Sequence, residues 1–178
     1  SPTPLSNTDI IQKTSNEIIN PILKAMGELG HPYVGFLYIG IMIKDNDPYV
    51  IEFNVRMGDP EAQVVIPLLK SSLFELLFNC VNNRLFESEI NISKKTAVTV
   101  VLASKGYPKK YLKGQEIKIK NNSSDILLFH AGTNKDRDKL LVNGGRVLNI
   151  TGFGNNLETA IKNTYDNINN IKYKNMYF

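Results

Sequence analysis

The chain has 178 residues, of which 42% are hydrophobic and 21% are charged. This composition is typical of a globular protein and argues against a disordered one. No apolar run approaches the roughly 20 residues that cross a bilayer, and the single Cys80 excludes an internal disulfide. Because disulfides are typical of oxidising compartments, these features together predict a cytoplasmic protein without a membrane span.

The net charge of +4 is distributed unevenly along the sequence. Residues 1–93 contain 6 Lys and Arg against 11 Asp and Glu, whereas residues 94–178 contain 15 against 6. We therefore predict two domains with a boundary near residue 93. A basic half can attract nucleotide phosphates or acidic partners, but scattered lysines more commonly form a solvated surface. No row of aromatic and basic residues indicates a platform for nucleic acid, so nucleic acid is not a predicted partner.

Hydrophobic periodicity in the first half predicts a helix, two strands and a second helix. These elements cover residues 8–29, 33–43, 49–56 and 60–81. Pro21 is expected to kink or break the first helix, which Gly30 ends. The polar loop 44–48 joins the two strands as an antiparallel hairpin. Cys80 lies on the apolar stripe of the second helix and is interpreted as a core residue.

The second half is predicted to form short strands followed by a closing amphipathic helix that begins near Asn156. The strands cover residues 96–103, 115–119, 126–130 and 146–151. The turn residues 143–145 predict a hairpin between 140–142 and the last strand. Residues 122–124 and 135–139 are predicted exposed loops. The predicted fold class is α+β.

The most informative stretch of the sequence is residues 51–61. Side chains on a strand alternate between faces, so Glu52, Asn54 and Arg56 are expected to share one face of a buried strand. Carboxylate and amide oxygens suit Mg²⁺, which also binds waters and substrate phosphates. The planar guanidinium of Arg56 suits a phosphoryl or carboxylate oxygen. The pattern favours phosphoryl transfer, although an ordinary half-solvated strand shows the same alternation.

A turn and a helix start are predicted directly after this strand. Gly58 can adopt positive φ, Asp59 is a good helix cap, Pro60 fits the first helical position and Glu61 lies in the first turn. The polar row is therefore expected to end at a helix N-terminus, which favours anions.

Several motifs resemble one family. Glu52-Phe53-Asn54, Arg56 and residues 58–61 (Gly-Asp-Pro-Glu) resemble the metal-binding strand of the glycinamide ribonucleotide synthetases, also called phosphoribosylamine–glycine ligases, which are ATP-grasp enzymes of purine synthesis. Further motifs similar to this family follow the family's order: Tyr33–Tyr38 with Gly40, Gly106–Pro108, Phe129–Thr133 and Gly144–Leu148. Met57 departs from the pattern, because the family usually has Phe at this position.

The resemblance implies an α+β architecture in two parts. Residues 1–93 would form the C-terminal part of an ATP-grasp domain, with antiparallel strands and flanking helices. Residues 94–178 would form a small β-rich C-terminal domain with a closing helix. The chain would then begin inside the ATP-grasp domain as a C-terminal fragment. It would need the missing N-terminal portion of the enzyme as a partner and would be inactive alone.

The resemblance also implies an ATP-dependent carboxylate–amine ligase that joins glycine to 5-phosphoribosylamine through an acyl phosphate. Glu52 and Asn54 would hold the Mg²⁺ or Mn²⁺ that bridges the ATP phosphates. Arg56 would stabilise phosphoryl or acyl-phosphate oxygens, and Asp59 and Glu61 would position the amine or the ribose hydroxyls. An ion pair of Arg56 with Asp59 or Glu61, and helix capping by Asp59, remain open alternatives.

Two other functions stay open on the sequence. Another ATP-grasp ligase, such as a biotin carboxylase or another purine enzyme, would share Glu-x-Asn but continue differently after Arg56. A non-catalytic binding module could use the basic half on nucleic acid. His130 is interpreted as a hydrogen-bonded structural residue and His31 as a loop residue. Because these two histidines and Cys80 are distant from one another in the sequence, they give no support for a zinc site or a Cys/His nucleophile.

Overall fold

The structure, a computed structural model, describes residues 1–120 and 124–178, so Asn122 and Ser123 of the predicted loop lie outside the described residues. By their internal contacts, the described residues form two units. We call them the hairpin unit, Pro2–Asp59 with Lys70–Asn91, and the sheet unit, Ser1 with Pro60–Leu69 and Ile92–Phe178. The domain boundary near residue 93 stays a prediction. Within the described ranges, no helix has the length and hydropathy to cross a bilayer.

The hairpin unit begins with one long helical segment. Helix α1 (Thr8–Lys13) continues through a π-helical stretch (Thr14–Ile19) into α2 (Asn20–Glu28). The N–H of Asn20 donates to the carbonyl of Ser15, five residues back. Pro21 follows directly, and the wider π turn accommodates a ring that would clash with the preceding turn of an α-helix. The predicted kink is therefore a π-helical turn, and Gly30, at φ +80°, follows the end of the helix as predicted.

Strands β1 (Tyr38–Lys44) and β2 (Asp47–Asn54) form the predicted antiparallel hairpin. The turn is shorter than expected, because Asp45 and Asn46 both adopt positive φ, as two-residue hairpin turns require. The Nζ of Lys13 lies 2.7 Å from Oδ1 of Asp47 and 2.9 Å from the carbonyl oxygen of Asn46, which ties α1 to this turn. The hydrogen bond to Asp47 raises the pKa of Lys13 above its ordinary value.

The predicted helix over residues 60–81 is wrong. The structure has a short helix α3 (Ala62–Val65), a 3₁₀ turn (Ile66–Leu68), helix α4 (Leu73–Val81) and a second 3₁₀ turn (Leu85–Glu87). Pro67 lacks an N–H and ends α3, and Leu69 is extended and forms a β-bridge with Ile92. The hydroxyl of Ser72 accepts the N–H of Glu75 at 3.3 Å and so caps the start of α4.

The described part of the sheet unit contains eight strands and two α-helices, α3 and a later helix near the C-terminus. The strands are β3 (Thr96–Ser104), β4 (Lys118–Ile119), β5 (Ile126–His130), β6 (Thr133–Asp136), β7 (Lys139–Val142), β8 (Arg146–Gly154), β9 (Ile171–Lys172) and β10 (Met176–Tyr177). The main sheet is antiparallel in the order β10-β3-β8-β5, with separate pairs β4-β9 and β6-β7. The α+β fold class is confirmed.

Three local predictions in this unit are wrong in whole or in part. Residues 135–139 were expected to be a loop, but they belong to the β6-β7 hairpin, which turns at Arg137 with positive φ. Residues 140–142 pair with β6 and not with the last strand, since β8 pairs with β3 and β5. Gly144 in the intervening turn lies against Gly132, where an added Cβ would come 2.7 Å from Gly132 Cα. The predicted strand 115–119 is also reduced to β4.

The hydrophobic core of the sheet unit is formed by residues of the main sheet and of the helix and strands packed against it. Its buried members are Leu102, Ile117, Ile126, Val142, Val147, Leu148, Ile150, Ile168, Ile171 and Tyr173. The closing helix α5 (Leu157–Ile168) is confirmed, and the Asn156 side chain accepts the N–H of Thr159 at its start. The buried Thr164 hydroxyl accepts the N–H of Gly152 at 3.1 Å and donates to the Ala160 carbonyl at 2.7 Å. This contact joins α5 closely to β8.

Tyr173 is expected to make the protein sensitive to alkaline pH. Its hydroxyl donates to the Ala103 carbonyl at 3.0 Å, and burial raises the pKa of Tyr173 above its ordinary value of about 10. Above pH 10 the unfolded chain loses this proton while the folded chain keeps it, so the free energy of unfolding falls as pH rises. Denaturation from pH 8 to 11 should show a shallower fall in Tyr173→Phe than in the wild type. Tyr177→Phe is the control, because Tyr177 is 66% exposed; equal slopes in all three proteins would contradict the prediction.

Candidate functional site

Glu52 and Asn54 lie at the end of β2, opposite Gly40 and Tyr38 of β1. The Nδ2 of Asn54 donates to Oε1 of Glu52 at 2.9 Å. A contact between side chains two positions apart on a strand requires that both point to the same face. The predicted shared face of this carboxylate and this amide is therefore confirmed.

Gly40 gives the Glu52 side chain its place on the hairpin. A Cβ at Gly40 would lie 3.1 Å from Glu52 Cγ, tighter than ordinary van der Waals contact. The ladder also shifts register between Gly40 and Ile41, next to this pair. A glycine inside a strand commonly marks such a bulge or close approach. Gly40 is thus part of the geometry that positions the carboxylate.

The prediction that this strand is buried is wrong. Ile51, Phe53 and Val55, on or beyond the opposite face, are 63%, 41% and 74% exposed, and Glu52 is exposed as well. The reason is that, among the described residues, β2 pairs with β1 alone in a two-stranded ladder. Asn54 is half-buried, so the end of the strand is its most enclosed part.

Arg56 lies beyond the strand, since β2 ends at Asn54. It follows in a bend, where its Nη1 donates to the carbonyl oxygen of Met57 at 3.2 Å. Strand alternation therefore does not determine the direction of the guanidinium, and the prediction that Arg56 shares a strand face with Glu52 and Asn54 is wrong. Gly58, the next turn residue, is buried.

Asp59 and Glu61 belong to different units, because the hairpin unit ends at Asp59 and the sheet unit resumes at Pro60. Residues 59–61 form a turn, and α3 begins at Ala62, later than predicted. With only four residues, α3 does not provide the extended helix N-terminus on which the predicted anion site depends. The roles of Asp59 and Glu61 stay predictions.

The donor atoms of Glu52 and Asn54 fit a hard divalent cation. Across residues 1–120 and 124–178, no group of three or more His, Cys, Asp and Glu side chains could hold a metal. One carboxylate and one amide oxygen would leave most coordination positions to water and phosphate oxygens, which is how Mg²⁺ commonly binds. Because Nδ2 of Asn54 faces Glu52, the amide must turn to present its oxygen to a metal shared by both.

His130 belongs to the sheet unit, whereas His31 and Cys80 belong to the hairpin unit. His130 is exposed at the end of β5, and its Nδ1 lies 3.0 Å from Oγ1 of Thr133, as expected for a hydrogen-bonded structural residue. His31 follows the end of α2 and is exposed. Cys80, predicted to be a core residue, is only half-buried beside an apolar cavity of about 390 Å³ in the hairpin unit.

Three motifs of the second half meet at one place in the sheet unit, although they are distant from one another in the sequence. The N–H of Ser104 donates to the Gly145 carbonyl at 2.7 Å, and the Tyr107 ring lies where a Cβ of Gly145 would be. The N–H of Gly132 donates to the Arg146 carbonyl at 2.8 Å. The glycines were the available signal, because they permit backbones to approach this closely.

Two profiles of one family match the chain in order. Residues 1–62 match the phosphoribosylglycinamide synthetase ATP-grasp (A) domain, and residues 97–178 match the C domain. The phosphoribosylamine–glycine ligase of Chlorobaculum tepidum is 40% identical over 180 residues, covering 99% of this chain and 42% of the relative. The trifunctional purine biosynthetic protein adenosine-3 of Gallus gallus is 41% identical over 177 residues, covering 98% of this chain and 18% of the relative.

Solved structures agree with these matches. The phosphoribosylamine–glycine ligase of Thermotoga maritima has a TM-score of 0.79 and 35% identity, over 96% of this chain and 42% of that one. The biotin carboxylase domain of a thermophilic 2-oxoglutarate carboxylase has a TM-score of 0.67 over 99% of this chain and 40% of that one. At 12% identity, this second likeness shows a shared fold alone.

The fold and the match of residues 1–62 are those of the ATP-grasp class of enzymes. Within that class, the matches over both halves are more specific. The chain belongs to the phosphoribosylglycinamide synthetase family. It spans less than half the length of the curated relatives named above, and in Gallus gallus the matching region is part of a multifunctional purine biosynthetic protein.

Proposed function

We propose that the chain is part of an ATP-dependent ligase that joins glycine to 5-phosphoribosylamine and forms glycinamide ribonucleotide. The relatives that match over nearly the whole chain are named for this activity or for purine biosynthesis. The observation that carries the proposal in this chain is the side-by-side placement of Glu52 and Asn54, with Asn54 Nδ2 2.9 Å from Glu52 Oε1. The pair offers the hard oxygen donors that a magnesium–nucleotide complex requires.

In the proposed reaction, ATP activates the carboxylate of glycine. A carboxylate oxygen attacks the γ-phosphorus, and the bond from the γ-phosphorus to the bridging β-phosphate oxygen breaks. The products of this step are ADP and the acyl phosphate of glycine. The nitrogen of 5-phosphoribosylamine then attacks the acyl carbon, phosphate leaves, and the nitrogen loses a proton as the amide forms. The protein contributes mainly by positioning these groups and by stabilising negative charge on the transferring phosphoryl group.

The side chains of the candidate site divide this work in the proposal. Glu52 and Asn54 hold Mg²⁺ or Mn²⁺, which neutralises charge on the ATP phosphates. Arg56 stabilises oxygens of the phosphoryl group or the acyl phosphate, since its guanidinium is always charged and has a planar set of donors. Asp59 and Glu61 position the amine or the ribose hydroxyls of the second substrate.

The hairpin unit also supports the proposal that this chain works within a larger enzyme. Large apolar side chains are strongly exposed on it, including Ile51 at 63%, Val55 at 74%, Phe74 at 75% and Phe86 at 85%. A two-stranded hairpin is marginally stable alone, and extended apolar surfaces mark places where other polypeptide packs. We propose that the N-terminal portion of the ligase covers these side chains, and that the enzyme acts in the cytoplasm on its small-molecule substrates.

A direct assay tests this proposal. The complete ligase containing these residues should release ADP only when glycine and 5-phosphoribosylamine are both present, because the amine completes the turnover of the acyl phosphate. Bicarbonate in place of glycine serves as the comparison substrate, as a biotin carboxylase would use it. ADP release that follows bicarbonate and ignores glycine would overturn the proposed substrates. Residues 1–178 alone should release no ADP in response to glycine.

A further inference from the structure

Part of the positive charge of the second half surrounds one pocket in the sheet unit. The pocket has a volume of about 610 Å³, within the range of small-molecule sites. Its lining residues are Lys105, Lys110, Tyr111, Leu112, Lys113 and Asn175. Three of these six side chains are cationic and none is acidic. The pocket is therefore a local focus of positive charge.

The lysines of this pocket have no counter-ion among the residues that the structure describes. Within the described ranges, Lys105, Lys110 and Lys113 take part in no salt bridge. The segment from Lys105 to Gly114 includes a fourth lysine, Lys109, and no Asp or Glu. Like charges held close together repel one another, and an anion placed among them converts that repulsion into attraction. The pocket is thus suited to a ligand with more than one negative charge.

The backbone of this segment is held in place from both ends. The N–H of Lys105 donates to the Asn175 carbonyl at 2.8 Å, and the N–H of Gly114 donates to the Val142 carbonyl at 2.7 Å. Between them, Gly106 adopts φ +101°, and a Cβ there would come 2.3 Å from the Lys110 carbonyl oxygen. Only glycine permits this closed turn. The three lysines are consequently presented from a pre-formed loop, which lowers the entropic cost of binding.

We propose that this pocket binds the phosphate group of a phosphorylated small molecule. A phosphate monoester carries close to two negative charges and three acceptor oxygens, which matches three ammonium groups that each donate hydrogen bonds. The half-buried Tyr111 provides an aromatic wall for the organic part of the ligand. An open pocket beside a single loop suits the phosphate group of a small molecule better than nucleic acid, which requires an extended basic groove with successive stacking aromatics. The proposal goes beyond the ligase activity and does not depend on it.

Titration of the 178-residue chain with ribose 5-phosphate, followed by amide chemical shifts in NMR spectra, tests this proposal. We expect saturable binding that weakens with salt, with shifts concentrated in Lys105–Gly114 and Asn175. The double variant Lys110→Gln/Lys113→Gln should weaken binding at least about tenfold, since it removes two charge-assisted contacts. Lys135→Gln/Lys139→Gln is the matched control, because it removes the same charge from exposed positions of the β6-β7 hairpin. It should change the Kd less than about twofold.

Comparison ligands identify the group that is recognised. Ribose, which lacks the phosphate, should cause no shifts in the segment. If ATP shifts the same residues and has a lower Kd than ribose 5-phosphate, the pocket is a phosphate site for nucleotides. If ribose 5-phosphate has the lower Kd, the pocket is a phosphate site for sugar phosphates. Absence of saturable phosphate binding, equal binding of ribose, or equal weakening in the two double variants would each overturn the proposal.

Discussion

Glu52→Gln is expected to lower the kcat of the complete ligase by about 100-fold or more, the loss typical when one preorganised group that stabilises transition-state charge is removed. Gln keeps the size of the side chain and an oxygen that can accept the hydrogen bond from Asn54, which is 2.9 Å long in the structure. It removes the negative charge that the proposal assigns to metal binding. The Mg²⁺ concentration for half-maximal activity should therefore rise together with the fall in kcat. Steady-state ADP release at several Mg²⁺ concentrations measures both effects.

Glu89→Gln is the matched control for this change. Glu89 is an exposed residue of the same hairpin unit, and its backbone carbonyl accepts a hydrogen bond from the Ser71 hydroxyl at 2.8 Å. The control should retain kcat and the Mg²⁺ dependence of the wild type. If Glu52→Gln behaved like the control, Glu52 would not be a metal ligand. A fall in kcat with unchanged Mg²⁺ dependence would likewise contradict the assigned role.

Gly152→Ala is expected to destabilise the sheet unit by about 3 kcal/mol, at the upper end of the cost of overpacking a core. A Cβ at Gly152 would lie 2.4 Å from Thr164 Oγ1 and 2.6 Å from the Thr164 backbone nitrogen. The second contact is with the backbone of α5, so a side-chain rotation cannot relieve it. Separating α5 from β8 would also lengthen the hydrogen bond from the Gly152 N–H to the Thr164 hydroxyl. Chemical denaturation followed by circular dichroism measures the loss.

Gly27→Ala provides the control for glycine replacement. Apart from the neighbouring backbone of α2 itself, no atom of the described residues lies within 4 Å of a Cβ at Gly27, which is inside α2. Alanine favours the helix over glycine by roughly 0.5–1 kcal/mol, so this variant should be as stable as the wild type or slightly more stable. A loss of less than 1 kcal/mol in Gly152→Ala would show that α5 can move away from β8 at little cost.

The sequence predicted those elements whose pattern is local. Strand β5 has the predicted bounds, the β1-β2 hairpin follows from its polar turn, and α5 begins directly after Asn156 as its cap requires. These features depend on periodicity and on capping within a few residues. Local sequence is sufficient for them because the residues that determine their bounds lie within or next to the elements themselves.

The errors in the fold concern long-range pairing and one breaker residue. The prediction of one helix over 60–81 took no account of Pro67, although a proline inside a helical pattern ends or kinks the helix. The partner of residues 140–142 was misassigned because a glycine-rich turn favours a hairpin, whereas β8 pairs with β3 and β5 from other parts of the chain. Register among distant strands is set by packing that short-range patterns do not contain.

The candidate site was partly predictable. Alternation on a strand correctly placed Glu52 and Asn54 on one face, as their hydrogen bond shows. The same rule failed for Arg56 because the strand ends at Asn54, and strand ends are poorly defined by pattern. The exposure of Phe53 and its neighbours depends on which elements cover the hairpin, and alternation along one strand carries no information about that.

The position of the bound metal decides whether Glu52 and Asn54 are its ligands. We expect that a crystal structure of the complete ligase with ADP and Mn²⁺ will show the anomalous peak of the metal between a Glu52 carboxylate oxygen and the Asn54 amide oxygen, at coordination distances of about 2.1 Å. The Asn54 amide should have turned its oxygen toward the peak. A peak coordinated by other side chains, with Glu52 and Asn54 still hydrogen-bonded to each other, would contradict the central claim.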